Sequence, residues 1–172
     1  MKRLVPAAVA IIALLLLPTT ATANGGQTTI EQVPGNFVMT SADCVHLPPN
    51  TTITGSGTGR SITRTTTNRS GIKTIVNSTT TPGTATDQAG NTYRFFYSNE
   101  FRVSNTAANP TRFSGLMVDL FLLSGRGPAK LRNGFVATFT TNFADFSRYD
   151  EIASFGDPIT FPTGVGPFCD PL

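Results

Sequence analysis

The chain has 172 residues, of which 39% are hydrophobic and 13% charged, with a formal net charge of +3. That length suits one domain, and so apolar and weakly charged a composition excludes an intrinsically disordered chain. One His and two Cys exclude a zinc cluster or a His-based redox centre, so neither a metal nor a cofactor is expected.

Lys2 and Arg3 precede an apolar run from Leu4 to Leu17, followed by Pro18 and the small residues Ala21-Thr22-Ala23. This is the layout of a secretory leader over residues 1–23, cleaved after Ala23, with residues 24–172 left as a single β domain. The run of about 14 residues is shorter than the roughly 20 that a spanning helix needs. No Cys follows it, and the ending Phe168-Cys169-Asp170-Pro171-Leu172 lacks a hydrophobic tail, so no membrane anchor is expected. The expected destination is extracellular.

Loss of Lys2 and Arg3 leaves eleven bases against ten acids, close to neutral. Arg60, Arg64, Arg69 and Lys73 stand between Asp43 and Asp87 without an acid, and Arg60 and Arg64 share one strand face. Such a stripe reads as a solvated face, and nucleic acid is not an expected partner. Export makes the cysteines legible. Cys44 and Cys169 form an even pair in an oxidising compartment, so a disulfide is expected, worth about 5 kcal/mol for so long a loop.

The 28 Thr, with 13 Phe and no Trp, favour strands over helices. Weak strands are expected at Phe37–Ser41 and Ser61–Thr67, with Gly55-Ser56-Gly57-Thr58-Gly59 between them as a flexible connection. Ile72–Thr86 is rich in β-branched residues and leads into the turn formers Asp87-Gln88-Ala89-Gly90-Asn91. The strongest strand follows. Tyr93, Phe95, Tyr97, Asn99, Phe101 and Val103 share one face, expected to point inward. A second hairpin is expected from Asn109-Pro110 into Arg112–Leu123. A break at Ser124–Pro128 and a tight turn at Asn133-Gly134 then precede the strand Phe135–Thr141. Phe143–Ile152 is the one candidate for a short helix or turn, and Ile159–Phe161 a last weak strand. Six to eight antiparallel strands with short connections predict an all-β up-and-down meander, closed or partly closed into a barrel, with a sandwich as the alternative.

A symmetric turn near Ala108 predicts that Tyr97 faces Asp119, Asn99 faces Met117, and Phe95 faces Phe121. Pairing around Ala89 places Asn77, Thr79 and Thr81 opposite Phe101, Asn99 and Tyr97. Asp119 lies in the apolar stretch Leu116–Leu123, where a carboxylate needs partners. Tyr93, Tyr97, Asn99 and Asp119 are therefore the candidate ligand-binding residues of an interior lined by Phe and Tyr. The opposite face carries Phe96, Leu116, Val118, Leu120 and Leu122, an apolar patch that fits a contact between copies of the chain. No GxSxG elbow surrounds a nucleophile, and His46 stands beside Cys44, so no catalytic residue is assigned. Asn50, Asn68 and Asn77 each open an Asn-x-Ser/Thr triplet.

The stretch from Gly83 to Phe95, and the ending Phe155-Gly156-Asp157-Pro158 through Cys169-Asp170-Pro171, resemble small secreted β-rich proteins of actinobacteria. The resemblance implies a bacterial source and an exported β domain, and it implies no activity or functional residue. The expected function is a secreted, non-enzymatic binding module for a small lipophilic molecule. The alternatives are a secreted barrel enzyme of isomerase or cyclase type, using Asp119 and Tyr97, and a surface structural protein that self-assembles.

Overall fold

The computed structural model describes residues 21–23, 26–41, 47–144 and 146–156. The regular elements among them are nine strands: β1 (Ala21–Ala23), β2 (Gly26–Pro34), β3 (Phe37–Thr40), β4 (Thr52–Thr67), β5 (Lys73–Asp87), β6 (Thr92–Thr106), β7 (Asn109–Gly125), β8 (Leu131–Thr141) and β9 (Phe146–Gly156). They build one antiparallel sheet in the order β1-β2-β4-β5-β6-β7-β8-β9, with β3 also on β4. Pro34 pairs with Thr58 and Phe37 with Gly55 in one continuous register, and Gly35 N donates to Gly57 O at 3.0 Å between them. β2 and β3 are therefore two halves of one long strand. The all-β, up-and-down reading holds.

The expected barrel closure does not occur among the described residues, because no ladder joins β9 to β1, β2 or β3. Two register shifts in the β8–β9 ladder, at Val136/Ala137 and Thr140/Thr141, give a physical reason. Bulges bend and twist an edge strand away from further pairing. The sheet is rolled all the same. Strands lie about 4.8 Å apart, so on a flat sheet β3 and β7 would be four spacings apart. Yet the Phe37 and Phe121 rings meet at 5.6 Å, and both meet Phe95.

Glycine makes this roll sterically feasible. Gly55, Gly57 and Gly59 occupy alternate positions of β4, so all three face the concave side with Gly83 of β5. A Cβ on Gly55 would run into the Phe37 ring, and one on Gly83 into the Phe95 ring. The expected flexible connection is thus the floor beneath two core rings. Pro82 stands mid-sheet, and the β4–β5 ladder is interrupted where Thr58-Gly59 pass Thr81-Pro82. A residue without an N–H leaves such a gap.

Two other expectations are corrected. Asn133-Gly134 is the interior of β8, opposite Phe121 and Leu120, and the reversal lies before it at residues 126–130. Among the described residues of 143–152 there is no helix; from Phe146 onward they are β9. Cys44, Cys169, His46 and Ile159–Phe161 lie outside the described residues.

The concave face carries the core in three parts. One gathers Met39, Leu47, Ile53, Ala85, Tyr93, Phe95, Phe121, Leu123, Ala129 and Leu131, a second Val103, Phe113 and Phe139, and a third Phe135 and Ala137 with Met117 against them. Stacked and edge-on ring pairs such as Phe37–Phe95–Phe121 add about 0.5–1.5 kcal/mol each beyond the area they bury. Between these clusters the concave face turns polar.

Candidate functional site

That polar interval begins with the register. Asn99 faces Asp119, Tyr97 faces Phe121 and Phe101 faces Met117, two residues away from the expected pairing. The cause is a bulge between Ser104 and Thr106, where β7 takes up extra residues after the turn at Ala107-Ala108. A shift of two leaves every side chain on its expected face, whereas a shift of one would have inverted them. The other flank is as expected: Asn77, Thr79 and Thr81 pair with Phe101, Asn99 and Tyr97.

Asp119 is 3% exposed. Asn99 Nδ2 donates to its Oδ2 at 2.8 Å from directly across the ladder, and the Tyr97 hydroxyl donates to the same oxygen at 3.0 Å from the diagonal position. Burial pushes the carboxyl up to about 6, against the pull of the Asn99 and Tyr97 hydrogen bonds. Burial, followed by the adjacent carboxylate, pushes the Tyr97 hydroxyl far above its ordinary value, so it stays a donor. Asp119 is therefore poised to gain or lose a proton near neutrality.

The polar surface continues across the sheet. Ser61, Thr79, Asn99 and Asp119 are successive register partners over β4, β5, β6 and β7. Asn77 Nδ2 donates to Ser61 Oγ at 2.9 Å and Thr63 Oγ1 at 2.8 Å. The Thr79 hydroxyl donates to Ser61 Oγ at 2.9 Å. Tyr97, Asn99, Phe101, Met117 and Thr79 are each half-buried. The sequence reading missed Ser61 and Thr63, although the alternation Gly55-Gly57-Gly59-Ser61-Thr63 marks them as one face.

Tyr93 does not join this group. It is 2% exposed, and its hydroxyl donates to Asp87 Oδ2 at 2.9 Å. Asp87 also accepts from Ala89 N at 3.0 Å, Asn91 N at 2.8 Å and Asn91 Nδ2 at 2.8 Å. These bonds, led by the Asn91 side chain, hold the Asp87 carboxyl below its ordinary value despite its partial burial. Gly90, at φ 82°, closes the same turn through its N–H to Asp87 O. Tyr93 thus anchors the β5–β6 turn, while Tyr97, Asn99 and Asp119 form the candidate site.

Compared with family models, curated proteins and solved structures, the chain matches none. Among the described residues, no three His, Cys, Asp or Glu side chains converge as metal ligands would. On the convex face, Phe96, Leu116 and Val118 are 36%, 42% and 39% exposed, with Leu120 and Leu122 half-buried beside them. Val118 pairs with Val136, and Phe96 with Leu122, so the apolar stripe crosses three strands.

Proposed function

We propose that this protein is a secreted, non-enzymatic binding module whose concave face holds a small lipophilic molecule. Phe101 and Met117 supply apolar contact, and Asp119, Tyr97 and Asn99 orient the ligand's polar end. Apolar walls with a few convergent polar groups are the usual makeup of a small-molecule site. The observation that carries this reading is the 3% exposed carboxylate with two donors on one oxygen, set among half-buried rings. A carboxyl that burial pushes up to about 6 suits a ligand with a hydroxyl or amine at one end.

A second reading, self-association through the convex stripe, is favoured by the outward exposure of Phe96, Leu116 and Val118. One experiment separates the two. Nile red, a neutral lipophilic dye, is titrated into the purified protein, Tyr97→Ala and Val118→Lys, with circular dichroism confirming the fold of each. The binding reading expects saturable dye uptake that weakens at least tenfold in Tyr97→Ala and persists in Val118→Lys. Uptake lost only in Val118→Lys, with a fall in sedimenting mass, would replace the site with the stripe.

A further inference from the structure

The outer face of the sheet carries a second chemistry, at the end near the β5–β6 turn. Thr84 pairs with Arg94, and Arg94 with Ser124, across β5, β6 and β7. In the adjoining row Thr86 pairs with Thr92, and Arg126 N donates to Thr92 O at 3.2 Å. All six of these side chains are exposed, and the five on β5, β6 and β7 alternate with the inward Ala85, Tyr93, Phe95 and Leu123. They line a groove of about 740 Å³ with no carboxylate in its wall. The acid closest in sequence, Asp87, faces the other way and is occupied by Asn91, Ala89 and Tyr93.

The position of Arg126 is built into the fold. A Cβ on Gly125 would meet Thr92 O and the Tyr93 backbone, and a Cβ on Gly127 would meet the Tyr93 ring. Both neighbours of Arg126 are therefore pressed against the anchored tyrosine, and its backbone is fixed beside β6. Arg94 and Arg126 become diagonal neighbours on one face, roughly 7–8 Å apart at the backbone. Two like charges so placed repel each other, and an anion between them removes that cost. Each guanidinium offers a planar fork of donors suited to a tetrahedral oxyanion, and the four hydroxyls suit a polyhydroxylated neighbour.

We infer that this groove is a binding site for an anionic glycan, in which a sulfate or phosphate ester sits between Arg94 and Arg126. The hydroxyls of Thr84, Thr86, Thr92 and Ser124 contact the sugar. The site is independent of the concave face and does not rest on the ligand proposed there.

The test is calorimetric titration of the purified protein at 0.15 M salt with dextran sulfate, a phosphorylated dextran and uncharged dextran. Binding of at least one charged polymer and none of the uncharged one is expected, and the tighter of the two identifies the ester. Arg94→Gln and Arg126→Gln should each weaken that binding at least tenfold, while Arg60→Gln with Arg64→Gln, elsewhere on the convex face, leaves it within twofold. Arg94→Lys with Arg126→Lys keeps the charge and removes the forks, so a several-fold loss is expected there too. Absence of binding, equal binding of uncharged dextran, or an equal loss in the Arg60/Arg64 variant would each overturn the site.

Discussion

Asp87 and Asp119 are the same side chain, each bonded to a tyrosine hydroxyl, and their carboxyls move in opposite directions. Asp87 ends a strand, where a turn folds two backbone N–H groups and the Asn91 amide onto it within four residues. Asp119 lies mid-strand, where the backbone is committed to its ladders, so its donors come from side chains twenty or more residues away. Local chain geometry satisfies the first charge. At the second, burial outweighs the two side-chain hydrogen bonds that oppose it. The carboxylate at the strand end is thus served by its own turn, and the one mid-strand by side chains of the neighbouring strand.

The pH dependence of stability should separate the pair most strongly. A carboxyl raised from 3.8 to about 6 favours the folded state when protonated. That contribution is present below the unfolded value and is lost as pH rises from 4 to 6, by about 3 kcal/mol in all. Asp87 has the opposite sign: its contribution is present above the unfolded value and disappears as pH falls through its lowered folded value. Urea midpoints of the wild type should therefore peak near pH 4 in these two contributions. Asp119→Asn should remove the decline toward neutrality and leave the acid limb intact. A decline that persists in that variant would dismiss Asp119 as its source.

Tyr97→Phe comes next in size. It deletes one of the two donors to Asp119, at a cost of about 2 kcal/mol at pH 7.5, where the acceptor is ionised, and about half that at pH 4. Denaturation at both pH values checks the difference, and equal costs would mean that the bond does not sense the charge. Tyr93→Phe should be the smallest, about 1 kcal/mol, because Asp87 keeps three other donors. Its cost should be flat from pH 5 to pH 8, since Asp87 stays ionised throughout. A slope in that interval would break the contrast between the two carboxylates.

Much of this contrast was legible in the chain. The alternation from Tyr93 to Val103 named the inward face of β6, and the apolar setting of Asp119 named a buried carboxylate. The pairing slipped by two because the bulge after Ser104 is a local rearrangement without a hydrophobic signature. The glycines of β4 were misread because low strand propensity hid their strict spacing of two. β9 was misread for a different reason. Phe146, Tyr149 and Ile152 stand three apart in sequence, which imitates a helical rhythm, and the two register shifts in its ladder break the alternation of a regular strand. Asn133-Gly134 carried the strongest turn signal of its region, yet the ladder that pairs the two residues with Phe121 and Leu120 overrode it.

The glycine floor also governs how the molecule is assembled in time. Every major ladder joins strands that follow one another closely in sequence, so pairing can spread from any hairpin without closing a long loop. The Phe37–Phe121 contact is different, because it closes a span of more than eighty residues. Gly55, Gly57 and Gly83 act as the hinge line about which the finished ribbon curls, and Phe37 is the latch. If curling comes late, substitutions along that line should speed unfolding more than they slow folding, which stopped-flow rates against denaturant would show.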